Sequence, residues 1–220
     1  MTLKDKKSTS SPRDAGSLIL LRKSKAGPQV LMGRRPPQQI FMPDVFVFPG
    51  GAVERTDGMV ESTTNYHPVV EEILKRHSTL YRARGIGLAA IRETFEETGL
   101  LVGKKGESFL NSPPEGWSAF AENQIKPRLD ILRLIARAIT PKGPPRRYHA
   151  RFFVADARYA HGSAKSSREL LDLDWYPLTN IFDTLPMAQV TELVLSELIG
   201  ALARQGNNTT NHSIPIFSRR

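Results

Sequence analysis

Cysteine is absent from the 220 residues of this chain, and histidine occurs only five times. The lack of cysteine excludes disulfide bonds, thiolate nucleophiles and cysteine-ligated zinc, and it fits a reducing compartment such as the cytoplasm, where we expect the protein. The histidines are scattered and show none of the spacings typical of a histidine-ligated zinc site. These absences argue against a zinc site.

Long apolar runs are also missing, since no stretch approaches the roughly 18 apolar residues that a membrane-spanning helix requires. The first residues are charged but are not followed by the apolar core of a secretory signal. Hydrophobic residues make up 40% of the chain, a proportion typical of a soluble globular protein. The length suits one domain better than two. We therefore expect a single domain that does not associate with membranes.

Acidic residues are in the minority, because 31 lysines and arginines oppose 22 aspartates and glutamates, giving a formal net charge of +9. The basic residues are spread along the chain, and no helix-turn-helix, RNA-recognition or zinc-finger pattern is present. This distribution argues against a specific nucleic-acid partner. Charged tails and the capture of phosphate-bearing substrates explain the excess instead.

Hydrophobic patterning predicts short strands mixed with three or four helices, and therefore an α+β domain of two or more layers. The domain is expected to span 15–204, between a disordered N-terminal tail at 1–14 and a flexible C-terminal tail at 205–220. Predicted strands lie at 17–22 and 29–34, joined as a hairpin, and at 45–48, 100–102, 151–155 and 172–176. Predicted helices lie at 68–80, 88–99, 117–124 and 188–203, and a loop at 177–185.

The segment 88–99, LAAIRETFEETG, carries the pattern that is most informative about function. Its apolar residues recur at three- and four-residue steps and share one face of a predicted helix. Glu93, Glu96 and Glu97 share the opposite side, so three carboxylates lie within a few ångströms of one another. Such crowding is unfavourable unless a cation neutralises it, and clustered oxygen ligands suit Mg²⁺ or Mn²⁺. Arg92, one turn before Glu96, can steady one carboxylate.

A glycine turn lies upstream of this helix, in the stretch 46–51, FVFPGG. Two glycines let the backbone turn sharply and approach a ligand closely, and the carbonyl of Gly51 is a candidate metal ligand. An acidic helix by itself is usually a solvated surface. The RExxEExG string and the upstream glycine turn favour a metal site instead.

FPGG followed by AAIRETFEETGLL resembles the signature of Nudix hydrolases, G-x5-E-x7-R-E-U-x-E-E-x-G-U, in which U is apolar. Residues 92–100 match its second half, except that Thr94 stands at an apolar position. With Gly51 as the first glycine, the arginine follows after 92 − 51 = 41 positions instead of 14, so 27 extra residues fall within 52–87. Counting from Gly51 also places Asp57 where the signature has its first glutamate.

The resemblance covers roughly 14–203 and is greatest to a branch with an insertion inside the signature, which includes coenzyme A diphosphatases. It implies an α/β/α sandwich with a mixed β-sheet and a helical insertion at 52–87. It also implies Mg²⁺- or Mn²⁺-dependent hydrolysis of the diphosphate bond in a nucleoside diphosphate linked to another group. Coenzyme A or acyl-coenzyme A is a candidate substrate, and a homodimer is a candidate assembly because Nudix domains often dimerise.

The resemblance also assigns roles to the signature residues. Glu93 and Glu97 are expected as first metal ligands, and Glu96 as a shared or second-metal ligand. Arg92 is expected to hold a glutamate in place rather than to contact substrate. The general base is either a signature glutamate or one from a later loop, for which Glu169 is the candidate. An ordinary exposed loop residue is the alternative interpretation of Glu169.

Four arginines are candidates for binding the diphosphate, because guanidinium groups pair bidentately with phosphate oxygens. Arg146, Arg147 and Arg151 lie in one basic segment, for which a solvent-exposed turn is the alternative interpretation. Arg35 could reach the site from a neighbouring loop.

Two other functions stay open at the level of sequence. The first is a non-catalytic module that senses a nucleotide, although such modules usually lose signature carboxylates and this chain keeps all three. The second is an RNA 5′-end pyrophosphohydrolase, which the basic charge balance suggests. The expected partner of the enzyme is a small nucleoside diphosphate derivative.

Overall fold

A computed structural model of the chain describes residues 11–76, 78–142, 144, 146–204 and 214–218. No helix within these ranges is long and apolar enough to cross a bilayer. The strands are β1 (Arg13–Ser24), β2 (Gly27–Arg34), β3 (Phe46–Val47), β4 (Gly50–Ala52), β5 (Leu101–Val102), β6 (Lys104–Lys105), β7 (Ile125–Lys126), β8 (Arg133–Ile139), β9 (Tyr148–Asp156), β10 (Ala160–His161), β11 (Leu171–Pro177) and β12 (Ile216–Ser218). The helices are α1 (Pro68–Lys75), α2 (Leu80–Thr98), α3 (Ser118–Glu122), α4 (Ile181–Thr184) and α5 (Gln189–Arg204), with 3-10 turns at Asp57–Met59, Glu115–Trp117 and Ala157–Tyr159.

The main sheet has the strand order β11-β2-β1-β9-β8-β12, with β3 beside β2 and β4 beside β1. The pairs β1–β9 and β8–β12 are parallel, whereas β1–β2, β1–β4 and β8–β9 are antiparallel. The sheet is therefore mixed, as predicted, and the predicted hairpin between the first two strands is confirmed. Smaller two-stranded sheets pair β5 with β10 and β6 with β7.

Helices cover both faces of this sheet, which makes an α/β/α sandwich. Alternate residues of the central strand β1 face opposite cores, since Leu18 and Leu20 pack toward α2 while Ile19 packs toward α5. All three are fully buried. A continuous apolar run is typical of a strand that is buried on both faces, so this stretch specifies the centre of the sheet.

Helix α2 lies directly against β1 and begins at Leu80, eight residues before the predicted start at 88. The Thr79 side chain caps its first turn by accepting a hydrogen bond from the Arg82 amide, and Gly99 ends the helix with φ 76°. A Cβ atom at Gly16 of β1 would overlap the carbonyl of Ile86, so the helix can approach the sheet only because this residue is glycine. This contact fixes the height of α2 above the sheet.

The insertion at 52–87 is folded into the core on the α2 side. It contains the turn Asp57–Met59, helix α1 and the first two turns of α2, so the predicted helix at 68–80 is wrong at its end. Val70 and Leu74 of α1 are buried against the cluster that contains α2. The insertion therefore supports α2, which carries the acidic residues.

Several predicted boundaries differ from the structure. Strand β1 begins at Arg13, inside the predicted tail 1–14, while residues 1–10 lie outside the described residues. In the predicted C-terminal tail, Ile216–Ser218 forms β12, because this apolar stretch pairs with the edge strand β8; residues 205–213 lie outside the described residues. The predicted loop at 177–185 contains the short helix α4.

Candidate active site

A buried arginine organises the acidic residues of α2. Arg92 has a side chain only 3% exposed, and its Nε and Nη2 donate to the two carboxylate oxygens of Asp57 at 2.9 and 3.2 Å. Nη2 also donates to the carbonyl of Ala52 at 3.1 Å. Asp57 is fully buried and also accepts a hydrogen bond from the amide of Glu54. The bidentate pair ties the insertion to α2 and fixes the guanidinium beside β4.

The same guanidinium holds two of the three signature glutamates. Its Nη1 donates to Glu93 and to Glu96, each at 2.9 Å. Burial by itself would lower the pKa of Arg92, but the hydrogen bond and charge of Asp57, together with the two glutamates, raise it overall. Arg92 is therefore a permanent cation that orients carboxylates, which is the role expected from the sequence.

Glu93 and Glu97 are ionisable groups with pKa values near neutrality. Burial, with added repulsion from Glu93 and Glu169, raises the pKa of Glu97 to about 8, against the opposing hydrogen bond from the Gly50 amide. Burial also raises the pKa of Glu93 to about 7, with Glu96 and Glu169 adding to the effect and Arg92 opposing it. Burial therefore disfavours the charged form of both side chains, and neighbouring carboxylates add to this effect.

The glycine pair of β4 contacts both of these carboxylates. The amide of Gly50 donates to Glu97 Oε2 at 2.9 Å. A Cβ atom at Gly51 would overlap the carboxylate of Glu93, so the residue must be glycine if that carboxylate is to keep its place. The turn before the pair is held by Pro49, whose carbonyl accepts from the amide of Leu18 and the hydroxyl of Ser17.

The donor chemistry of this cluster fits a hard divalent cation. Glu93 and Glu97 supply two buried carboxylates against the β4 backbone, and burial, with smaller contributions from neighbouring carboxylates, raises their pKa values; a bound dication would favour their charged forms. Glu96 is 41% exposed and is directed to Arg92. Across the described ranges, no group of three or more acidic, histidine or cysteine side chains is spaced to hold an ion. Because Glu93 and Glu97 are the signature carboxylates that contact the β4 glycines, they are the strongest candidate ligands, and Gly51 lies against Glu93.

A cavity of about 1430 Å³ extends from the β4 glycines to α5 and β12. Arg35 and Arg168 lie on its wall with the glycine pair, as does an aromatic pair, Phe41 and Tyr148, whose rings meet edge to face at 6.2 Å. Most of the remaining wall is apolar. It includes Val47, Phe48, Ile139, Phe152, Val190, Leu193, Ile216 and Phe217.

Two of the four predicted substrate-binding arginines line this cavity. Arg35 is braced by the carbonyl of Phe41 at 3.0 Å, and its charge acts on Glu97, whose pKa it lowers. Arg146 lies on the cavity wall, two residues before the start of β9. Arg147 instead donates from Nε to the carbonyls of Thr140 and Pro141 at 3.1 Å and braces that turn.

The prediction for Arg151 is wrong, because its side chain faces away from the cavity. Neighbours on β9 that line the cavity are Tyr148, Ala150 and Phe152, and a strand directs alternate side chains to opposite faces. Arg151 lies 3% exposed on the α2 side, where Nη1 donates to Asp14 at 2.5 Å and to the carbonyl of His149 at 2.6 Å. It therefore forms an interior ion pair.

Glu169 lies on an exposed turn whose geometry is set by Ser167. The Ser167 hydroxyl accepts from the amides of Glu169 and Leu170 at 3.2 and 3.0 Å. The charge of Glu169 raises the pKa of both Glu93 and Glu97, so the structure brings this loop to the acidic cluster. Its neighbour Arg168, which the sequence reasoning missed, lines the cavity.

No family model matches the chain. A Caenorhabditis elegans protein provisionally named nudix hydrolase 7 is 28% identical over 204 residues, which are 85% of this chain and 61% of that relative's length. The crystal structure of a Nudix hydrolase from Alicyclobacillus acidocaldarius matches with a TM-score of 0.66 at 25% identity, covering 93% of this chain and all of the other.

A second solved structure shares the fold at a greater distance. The Nudix domain of NrtR from Shewanella oneidensis, solved with ADP-ribose, matches with a TM-score of 0.51 at 11% identity and covers 91% of this chain and 94% of the other. The fold of the present chain is the Nudix fold. Together with the curated relative and the Alicyclobacillus enzyme, this supports a place for the chain in the Nudix hydrolase superfamily.

Proposed function

We propose that this protein hydrolyses the diphosphate bond of a nucleoside diphosphate linked to another group, with Mg²⁺ or Mn²⁺ as its cofactor. The observation that carries the proposal is the position of Glu93 and Glu97 against Gly50 and Gly51 of β4, the glycines that also line the large cavity. The Arg92–Asp57 pair maintains that position. The ADP-ribose in the NrtR structure is a nucleoside diphosphate derivative, which agrees with this substrate class.

The residues divide the chemistry between them. Glu93 and Glu97 would hold the cation, which would screen the charge of the diphosphate and make a bound water more acidic. Arg35 lies on the cavity wall, close enough to Glu97 for its charge to lower the pKa of that residue, and it can bind a phosphate oxygen there. Arg92 is a positioning residue, because its guanidinium group donates to oxygens of Asp57, Glu93, Glu96 and Ala52.

Glu169 is our proposed general base, since its charge acts on both Glu93 and Glu97 and its loop therefore lies near the acidic cluster. In the step, the water oxygen forms a bond to one phosphorus, Glu169 takes the water proton, and the bridging oxygen leaves with the other phosphate. A glutamate of the signature is the competing base. Glu169→Gln would lower kcat by about 10²–10⁴-fold if Glu169 is the base, with KM little changed; a kcat within threefold of wild type would exclude it.

The test of the proposed reaction is a turnover screen with Mg²⁺ and with Mn²⁺. The substrates are coenzyme A, ADP-ribose, NADH, dinucleoside polyphosphates and nucleoside triphosphates, with products identified by mass spectrometry. We expect cleavage between the two phosphates of at least one diphosphate, abolished by EDTA and restored by added metal. Failure to cleave any member with either metal would contradict the proposal.

Among these substrates we favour coenzyme A or an acyl-coenzyme A, because of the shape of the cavity. Its volume of about 1430 Å³ exceeds the roughly 300–1,000 Å³ of ordinary ligand pockets. The wall far from the β4 glycines is built from apolar residues of three elements, Ile139 of β8, Leu193 of α5 and Phe217 of β12. A long thioester-linked group could occupy that apolar part while the diphosphate lies at the glycines.

Acyl-chain length tests this preference. Burial of one methylene is worth about 0.8 kcal/mol, which is about fourfold in kcat/KM when burial is complete. We expect kcat/KM to rise from coenzyme A to butyryl- and octanoyl-coenzyme A, and the rise to be lost in Leu193→Asp. A kcat/KM that does not depend on acyl-chain length, or a preference for ADP-ribose, would contradict the proposed preference for coenzyme A derivatives. Neither result would contradict the proposed diphosphate hydrolysis.

The two alternative functions predict different results. A nucleotide-sensing module would bind one of these compounds and convert none of them. An RNA 5′-end pyrophosphohydrolase would be inhibited on small substrates by competing RNA, whereas a small-molecule diphosphatase would not. All three signature carboxylates are present, which favours catalysis over sensing.

A further inference from the structure

Two arginines oppose each other on the face of the sheet that carries α2. Arg137 of β8 and Arg151 of β9 are direct partners in the antiparallel register. Like charges at opposed positions of a sheet repel each other. Arg151 is satisfied by Asp14 and by the His149 carbonyl, whereas the buried Nε of Arg137 has no hydrogen-bond partner among the described residues.

Further arginines surround this pair, and few carboxylates oppose them. Arg82, at the start of α2, donates to the second oxygen of Asp14 at 2.7 Å, so one carboxylate serves two guanidinium groups. Arg76, just after α1, is close enough to Arg137 to lower its pKa, as do burial and Arg151. Arg76 itself pairs with Glu72 at 2.8 Å on the surface. Four cations are thus opposed by two carboxylates.

This arginine cluster (Arg76, Arg82, Arg137 and Arg151) is separate from the proposed active site. None of its members lines the large cavity. Arg151 faces the α2 side because strand alternation turns it away from its cavity-lining neighbours. Arg76 and Arg82 are each 63% exposed, so the cluster is open to solvent at its rim while its inner pair is partly or fully buried.

We propose that the arginine cluster is a second binding site, for the phosphate group of a small ligand. A phosphate would bind the half-buried guanidinium group of Arg137 from its solvent side and would reduce the repulsion between the opposed guanidinium groups. Binding at this place stabilises the fold as well, because only the folded chain brings these arginines together. The proposal does not depend on the reaction that the large cavity supports.

Titration calorimetry of the full chain with inorganic phosphate tests the site, in EDTA and at constant ionic strength. We expect saturable binding and a phosphate-dependent rise in Tm, with at least tenfold weaker binding in Arg137→Gln. Arg158→Gln is the matched control, since it removes the same charge from an exposed residue 70% accessible and remote from the cluster's contacts. AMP is titrated in parallel to distinguish a free phosphate from a phosphomonoester.

Three results would overturn the proposal. The first is no saturable phosphate binding by the wild type. The second is an equal loss of phosphate affinity in Arg137→Gln and Arg158→Gln, which would indicate a general effect of net charge. The third is weaker phosphate binding in Arg35→Gln but not in Arg137→Gln, which would place the anion in the large cavity. If Arg137→Gln fails to fold, the exposed variant Arg76→Gln is expected to weaken binding several-fold, and unchanged affinity there would count against the site.

Discussion

At the scale of single residues, the site depends on the buried ion pair between Arg92 and Asp57, which the sequence predicts only in part. The RExxEExG string predicted that Arg92 would steady a carboxylate, and the structure shows contacts to Glu93 and Glu96. Its strongest partner, Asp57, lies 35 residues earlier in the chain. Counting along the signature reached Asp57, but only folding of the insertion shows that it is buried against Arg92.

Asp57→Asn is expected to destabilise the protein, because it leaves the buried guanidinium of Arg92 without its bidentate partner. Removal of one member of a buried pair typically lowers the free energy of unfolding by about 3–5 kcal/mol. Urea denaturation measures the change, with the exposed Asp183→Asn as control. A loss below about 1 kcal/mol would show that Glu93 and Glu96 alone satisfy Arg92.

The raised pKa values of Glu93 and Glu97 predict that stability depends on pH. The pKa values of about 7 and about 8 in the folded protein lie above the ordinary value of 4.5. At a pH between the ordinary and the raised values, the folded state therefore binds more protons than the unfolded state. The free energy of unfolding, measured in EDTA, should therefore fall as the pH rises from about 5 to 8.5. Glu97→Gln should make the curve flatter, and an unchanged slope would contradict the assignment.

The side of the sheet on which Arg151 lies could not be predicted from its local sequence. Its position in a basic segment suggested phosphate binding, but the face on which a strand residue lies depends on register, and a shift of one residue reverses it. Arg35, Arg146 and Arg147 lie in loops outside the strands, so their positions depend on the fold of those loops, which local pattern does not predict.

At the scale of elements, strand β4 and helix α2 form the site together. Both glycines of β4 were singled out from the sequence, yet the structure gives them different constraints. A Cβ atom at Gly50 would overlap backbone atoms of Gly16 and Ser17, whereas one at Gly51 would overlap only the end of the Glu93 side chain. Backbone cannot move aside easily, but a carboxylate can.

Alanine at each glycine should therefore have a different effect. Gly51→Ala is expected to fold with a Tm within a few degrees of wild type and to lose at least tenfold in kcat/KM, because Glu93 is displaced. Gly50→Ala is expected to lower the Tm markedly. Thermal melts with activity assays measure both, and equal Tm values for the two variants would contradict this reading of β4.

The elements that the sequence predicted well are those with clear periodicity, such as the first hairpin and α5. The start of α2 was missed because Gly85 and Gly87 lie in its first turns, and glycine disfavours helix. The structure explains Gly87 by contact, since a Cβ atom there would overlap the hydroxyl of Tyr66. Tertiary packing overrides local propensity at this point.

At the scale of the whole molecule, the sheet separates two environments that meet at β4. Its α2 face holds the carboxylates and the insertion, and its α5 face forms the wall of the apolar cavity. No single stretch of sequence predicts this cavity, because its wall combines residues of β1, β8, β9, α5 and β12 with the loop at 35–42. The sequence could indicate the chemistry of the glutamates, but only the fold shows the cavity that adjoins the β4 glycines.

The proposed diphosphate hydrolysis requires the α2 carboxylates that lie at the β4 glycines. Its most direct test is kcat/KM for the best diphosphate of the screen, in saturating Mg²⁺, for wild type, Glu97→Gln and the exposed control Glu122→Gln. We predict at least a hundredfold loss in Glu97→Gln and a value within twofold of wild type in Glu122→Gln. Near-normal turnover by a correctly folded Glu97→Gln variant would contradict the account.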